Sequence, residues 1–301
     1  MLTILLFDSV IALLMFGLPM LAAWLWRRKW VYGRPDWLAL ATVAAAALWL
    51  IVFYGSFIEP RFLTVREYAV RIGGGERQVK IAAISDTHLG GYRDAYWLQK
   101  VVARVNAQRP DVVLVLGDIA TTATGLEEMS PFRDLAAPLG VYAVLGNWDY
   151  RVGGVDVRRR IESYGVEVLT NENLPLGPVA GSPVLVGLDD YDYGTPDWNK
   201  ALEGVAADAP KILAVHNPDF TPIAEVRGLD LVMAGHTHCG QIRLPFIGPL
   251  PPMPTKIGRQ FDCGLFDYGR TKLFITRGVG ESGPRARLFN VAEVSVVNVS
   301  Y

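Results

Sequence analysis

A chain of 301 residues is long enough for one large domain or two smaller ones, with ample apolar material for a core. Its 29 basic and 30 acidic residues leave a formal charge of -1, without the basic excess that phosphate-backbone binding demands, so no nucleic acid is expected among its partners. The 51% hydrophobic content is high for a soluble enzyme, and two cysteines, Cys239 and Cys263, are too few to staple a scaffold and neither require nor exclude a disulfide.

The apolar excess lies at the N-terminus. From Leu2 to Trp26 only Asp8 is charged, and from Trp37 to Ile58 nothing is. Each run is about long enough to cross a hydrocarbon core of roughly 30 Å at about 1.5 Å per residue. A cleaved signal peptide is the competing reading of the first run. Against it, basic residues follow the apolar stretch rather than precede it, and a second span comes directly after. Trp49, Phe53, Tyr54 and Phe57 crowd the exit of the second run, where aromatics suit a membrane interface better than a buried core helix. Residues 1–60 are therefore expected to form a membrane anchor of two transmembrane helices. The connector carries Arg27, Arg28, Lys29 and Arg34, while Arg61, Arg66 and Arg71 follow the second span more sparsely. Positive charge is retained in the cytoplasm, so both termini and the large C-terminal domain should lie outside.

Residues 61–301 change to the pattern of an α/β domain. Short β-branched runs recur at 79–84, 112–116, 141–145, 184–188, 212–215 and 229–233, continuous enough for strands buried on both faces. A helical pattern from Ala95 to Gln108 sets Leu98, Val101, Val102 and Val105 on one side. Strand and helix in alternation predict layered α/β architecture. The end, Thr271 to Val299, alternates more like antiparallel strands, and the Pro- and Gly-rich piece from Leu244 to Pro254 reads as an ordered surface loop.

Polar residues follow five of the apolar runs in order: S85-D-T-H88, G117-D118, G146-N-W-D149, H216-N-P-D219 and G235-H-T-H238. In open α/β sheets, sites form just beyond the carboxyl ends of strands. All 4 histidines, His88, His216, His236 and His238, lie in such turns. A single one would be a turn residue capping its own backbone; five turns in sequence are better explained as a cluster of metal ligands.

This ordered set resembles the calcineurin-like metallophosphoesterases from about Val79 to the end of the chain. The stretch from Gly235 to Leu244, the preceding H216-N-P-D219 and the late segment Arg277 to Arg287 are similar to a bacterial, often membrane-anchored subgroup. That subgroup includes phosphodiesterases and a class of UDP-2,3-diacylglucosamine hydrolase. The resemblance implies a four-layer αββα sandwich over residues 61–301, held in the bacterial inner membrane. It implies two divalent metal ions: Asp86, His88, Asp118 and His238 around one, and Asp118, Asn147, His216 and His236 around the other. A shared carboxylate is chemically necessary, because dications roughly 3.5–4 Å apart repel strongly. Mixed imidazole, amide and carboxylate donors favour Mn, Fe or Zn over calcium.

The implied reaction is hydrolysis of a phosphodiester or pyrophosphate bond by a metal-bridging hydroxide, on a phosphate-containing small molecule or a lipid-linked substrate. Asp118, Asn147 and Asp149 are the expected catalytic residues, with Asp149 and Asp219 candidates for holding loops or imidazole tautomers. Two positions depart from the family. Trp148 stands where the family usually has a proton-donating His; indole cannot deliver a proton, which removes general-acid help of about 10²–10⁴-fold and leaves open a metal-binding module without turnover. Cys239 stands where Gly is more usual, and is expected either to pack or to compete for metal as a thiolate. Arg243, Arg285 and Arg287 are candidate anion binders.

Overall fold

The computed structural model describes residues 2–33, 36–179 and 181–301; Arg34 of the basic connector lies outside them. Two helices come first, α1 (Leu2–Tyr32) and α2 (Trp37–Phe53). The second continues through a π turn at Tyr54–Ile58 and a 3-10 turn at Glu59–Arg61. Both are long and apolar enough to cross a membrane, over Leu5–Val31 and Trp37–Arg61. Leu13, Phe16, Met20 and Leu40 all stand more than two-thirds exposed, as a core helix of a soluble protein would not allow. The helices are joined by packing and by Trp49 Nε1, which donates to the Met15 carbonyl (3.0 Å).

The rest folds in the order β1 (Leu63–Arg71), β2 (Gln78–Ile84), α3 (Ala95–Ala107), β3 (Val112–Leu116), β4 (Val141–Val144), α4 (Asn147–Glu162) and β5 (Glu167–Val168). There follow β6 (Glu172–Pro175), β7 (Val184–Gly187), α5 (Trp198–Ala201), β8 (Lys211–Ala214), α6 (Thr221–Val226) and β9 (Leu231–Ala234). A ribbon of β10 (Arg243–Leu244) and β11 (Gly248–Pro249) precedes β12 (Gly264–Tyr268), β13 (Thr271–Ile275) and β14 (Ala292–Ser300). Two six-stranded mixed sheets result, in the orders β1-β14-β2-β3-β4-β5 and β12-β13-β9-β8-β7-β6.

Strand pleating explains the layers. On β2, Val79, Ile81 and Ala83 face inward and meet Ile212, Leu231 and Phe274 of the other sheet, while Ala82 and Ile84 face outward under Leu98, Val101 and Val105 of α3. On the far side, Leu213 and Val232 pack beneath Phe220 and Ala224. Helices, sheet, sheet and helices make the expected αββα sandwich.

The expected antiparallel end is only partly so. β13 is antiparallel to β12 but parallel to β9, and β14 is antiparallel to β2 but parallel to β1. The sequence reading has no strand at β1. As an edge strand it carries Arg66, Glu67 and Arg71, charges that protect a sheet edge and erase the apolar run.

Buried charges fix the N-terminal helices to the sandwich. Glu59, in the 3-10 turn that follows α2, accepts from the backbone N–H groups of Phe289 (2.9 Å) and Asn290. Arg93 donates to the Pro60 carbonyl and pairs with buried Glu281, and its guanidinium lies 3.8 Å from the centre of the Trp97 ring. A buried network of this kind sets one geometry between the helices and the sandwich.

Candidate metal centre

The first sheet delivers three of the five turns, after β2, β3 and β4, and the second sheet delivers two, after β8 and β9. Their backbones are stitched together: Asp86 N–H donates to Gly117 O (2.9 Å), His88 N–H to Asp118 O (3.0 Å) and Gly235 N–H to His216 O (3.0 Å). Close approach explains the glycines. Gly117 has φ +77°, and a Cβ there would come within 2.8 Å of both the Gly146 nitrogen and His216 Nδ1.

Two groups of side chains form at this edge, Asp86 with His88 and His238, and Asp118 with His216 and His236, each with ligand atoms within 4.8 Å of one another. Asp118 joins them. Its Oδ1 accepts from Trp148 N–H (2.8 Å), which turns Oδ2 toward His216 Nε2 (3.3 Å) in one group and His88 Nε2 (3.7 Å) in the other. Asn147, the first residue of α4, lines the same cavity. Five of these seven residues, Asp86, His88, Asp118, His236 and His238, hold φ between 48° and 70°, a region costly for side chains with a Cβ and concentrated at functional sites.

The imidazoles are oriented from behind. His216 Nδ1 meets the Leu116 carbonyl (2.8 Å) and His88 Nδ1 meets Thr121 Oγ1 (3.0 Å), which leaves Nε2 of each facing inward. His88 Nε2 then lies 3.1 Å from His238 Nε2, and His216 Nε2 3.1 Å from His236 Nδ1. Asp86 Oδ1 and Asn147 Oδ1 are buried acceptors with no hydrogen-bond donor, a state that demands a partner. Converging nitrogen lone pairs, shared carboxylate oxygens and orphaned acceptors fit two cations of the transition-metal type.

Electrostatics agree. Burial works against charge on Asp86, but His238, His216 and His88 outweigh it and hold the carboxyl well below its usual range. For Asp118, burial likewise loses to His216 and His88. Burial lowers His216, yet the Asp118 carboxylate dominates and pushes it up to about 10. At His88 burial wins and pulls the imidazole down to about 4. The cluster is thus negative enough to hold positive charge at its centre.

The calcineurin-like phosphoesterase family model matches residues 79–240, more than half of the chain and all five turns. The chain belongs to this family. Among curated relatives, a metallophosphoesterase of Campylobacter jejuni is 33% identical over 78% of this chain and 63% of its own length. The phosphodiesterase YaeI of Escherichia coli is 29% identical over 80% of this chain and 90% of its own. A transmembrane protein with a metallophosphoesterase domain from Bos taurus is 28% identical over 85% and 61%. The chain therefore spans a little under two-thirds of the Campylobacter and bovine relatives. The family is one of metal-dependent phosphoester hydrolases.

The other expected residues lie around this cluster. Asp149 is wholly buried and is not on the cavity; its Oδ1 accepts from Ile119 N–H (2.8 Å) and Ala120 N–H (3.0 Å), and Oδ2 from Gly146 N–H (2.9 Å). It ties the Asp118 turn to the Asn147 turn. Asp219 accepts from Thr255 Oγ1 (2.5 Å) and from Lys256 N–H (2.7 Å), holding a loop rather than an imidazole. Trp148 forms a wall of the cavity, its ring 6.0 Å from His88 edge-on.

Cys239 neither packs as a free thiol nor competes for metal: it is disulfide-bonded to Cys263. Of the three arginines, Arg243 is paired with Asp262 (2.6 Å). Arg287 is completely buried and donates to carbonyls of Gly280, Asn290, Arg277 and Gly278, so neither is offered to substrate; Arg285 is exposed.

Sequence reasoning passed over Arg151. It lines the cavity with its guanidinium 5.0 Å from the Trp148 ring centre, and its Nη2 donates to the Tyr193 hydroxyl (2.8 Å). The available signal was its position three residues after Trp148 on α4, which puts both on one helix face.

Proposed function

We propose that this chain is a membrane-anchored phosphoesterase that hydrolyses a phosphodiester or pyrophosphate bond with two divalent cations held by Asp86, His88, Asp118, Asn147, His216, His236 and His238. The observation that carries the reading is Asp118 Oδ2, turned by the Trp148 N–H toward imidazoles of both groups. Bound there, the cations would supply an activated water at neutral pH and neutralise the phosphoryl oxygens. The protein's own part is positional: Asp118 and Asn147 set the ligand frame, and Asp149 locks their two turns together. Arg151 adds a fixed positive charge at the cavity wall, suited to an anionic phosphoryl group. Trp148 gives no proton to the departing oxygen, so the site favours leaving groups that are stable as anions, such as an aryl alkoxide or a second phosphate.

Anchoring rests on the two long apolar helices. The extracytoplasmic placement of the domain, with residues 1–60 as a two-span anchor in a bacterial inner membrane, is supported by the basic connector and by the disulfide, which persists in oxidising compartments. That side of the membrane speaks against cytoplasmic lipid A precursors as substrate. Purified full-length protein with Mn²⁺ is expected to hydrolyse bis-p-nitrophenyl phosphate, and Asp118→Asn to abolish it. Binding of metal without any turnover by the unaltered protein would favour a metal-binding module instead.

A further inference from the structure

A cleft of about 510 Å³ lies between the two anchor helices, apart from the metal centre. Ile11, Met15 and Phe16 of α1 face Trp49, Phe53 and Phe57 across it. The aromatic wall is continuous: Trp49 stacks on Phe53 at 5.3 Å and Phe53 meets Phe57 at 5.7 Å. The one indole N–H in the wall is satisfied by Met15 O, so the cleft is apolar along its length. From Asp8 to Phe16 it follows eight helical rises, roughly 12 Å at about 1.5 Å each.

One end is polar. Asp8 and Arg285 close it toward the sandwich. The Arg285 guanidinium sits 5.6 Å from the Phe57 ring and 5.8 Å from the Tyr92 ring, and Tyr92 donates to Asp8 Oδ1 (3.1 Å). Arg285 is exposed and, among the described residues, has no ion-pair partner. The adjoining residues Ser282 and Pro284 line the metal cavity. Gln241, also on that cavity, holds the segment from both sides, accepting from Ser282 N–H (2.9 Å) and donating to Pro284 O (2.9 Å). A single peptide segment therefore separates the two cavities.

A second apolar feature lies near the end of α2. The β10–β11 ribbon exposes Phe246 and Ile247 at its tip, beside Phe289. Phe289 is tied through its N–H to Glu59, where the second span leaves the membrane. Pro251, Pro252 and Pro254, from the loop just after the ribbon, line the metal cavity. Exposed apolar residues thus stand both beside the end of the second helix and at the rim of the centre, as a bilayer-facing mouth requires.

We propose that the substrate of this centre is a bilayer lipid phosphodiester whose hydrocarbon chain occupies the cleft and whose phosphate is led past Arg285 and Pro284 to the metals. This rests on the phosphoesterase reading above. The test uses full-length protein in nanodiscs with Mn²⁺ and two probes sharing one leaving group, hexadecyl p-nitrophenyl phosphate and methyl p-nitrophenyl phosphate. Ala12→Trp, which fills the cleft, is expected to lower the hexadecyl-to-methyl ratio of kcat/KM about tenfold, mainly through KM. Arg285→Ala is expected to lower it in the same direction, because only the cleft-bound hexadecyl ester passes that arginine while the methyl ester enters from water. Leu13→Trp, which adds the same bulk on the exposed face of α1, should keep the wild-type ratio. Equal ratios for Ala12→Trp and Leu13→Trp would overturn the proposal. A diazirine-bearing hexadecyl phosphate supplies a readout without turnover. Labelling of Met15 or Phe57 in the unaltered protein supports the cleft as a chain site, and labelling spread over the outer faces of both helices refutes it. Failure to hydrolyse either probe, with labelling confined to the cleft, would sink the phosphoesterase reading alone.

Discussion

Replacing Asp149 by alanine separates a catalytic carboxyl from one that builds the site. Its two oxygens accept from three buried backbone N–H groups, those of Ile119, Ala120 and Gly146, at 2.8–3.0 Å. Each donor left without an acceptor costs about 1–3 kcal/mol, so the substitution should destabilise the sandwich by roughly 3–6 kcal/mol after partial rescue by water. For a domain of this size about 1 kcal/mol moves the midpoint some 2–4 °C, giving a fall in Tm on the order of 10 °C. Because the turns it clamps carry Asp118 and Asn147, retained metal should fall as well. Thermal unfolding by circular dichroism, paired with metal analysis of the same samples, measures both. A Tm within about 2 °C of wild type, with full metal content and lost turnover, would refute the structural role and return Asp149 to the chemistry.

Trp148→His should raise turnover of alkyl phosphodiesters by about 10²-fold or more and leave aryl esters near their starting rate, since only poor leaving groups need a proton; equal gains on both would contradict this. His216 is pushed up to about 10 because the Asp118 carboxylate outweighs burial. In chelator-stripped protein it is therefore protonated at neutral pH. Metal must displace that proton, so Mn²⁺ affinity should rise with pH up to about 10, by roughly tenfold per unit for one proton. Calorimetry in buffers of different ionisation enthalpy would count the protons, and an affinity independent of pH would refute the coupling. Folding of the stripped protein depends on the same proton: the His216 contribution is complete below the unfolded value near 6.5 and is lost as pH rises through about 10. Cys239→Ala with Cys263→Ala should leave metal content unchanged, because the two sulfurs bond to each other rather than face a cation.

What the sequence makes legible here is local. A continuous apolar run such as 112–116 forms a strand buried on both faces, and the Asp or His after it has one place to go, the carboxyl edge of its sheet. The five turns could be read because strand pattern and ligand chemistry coincide within a few residues. Long-range partners leave no such trace. β1 pairs with β14 through Leu63 and Ala292, 229 positions apart, and its exposed charges hide it. Arg287 reads as an anion binder until the fold surrounds it with carbonyls. Two isolated cysteines carry no information about each other until the loop from Thr237 to Cys263 closes. The cleft at Arg285 brings α1 and α2 against the late loop, with Glu59 and Arg93 holding the end of α2 to the sandwich, and no local pattern announces it.

Metal counting tests the account most directly. Full-length protein loaded with Mn²⁺ and desalted should retain two ions per chain by elemental analysis, with two anomalous scattering peaks about 3.5–4 Å apart on either side of Asp118 Oδ2. Asp118→Asn should lose at least one of them. A folded protein that holds no ion beside Asp118, or keeps both ions in Asp118→Asn, would contradict the shared-carboxylate centre.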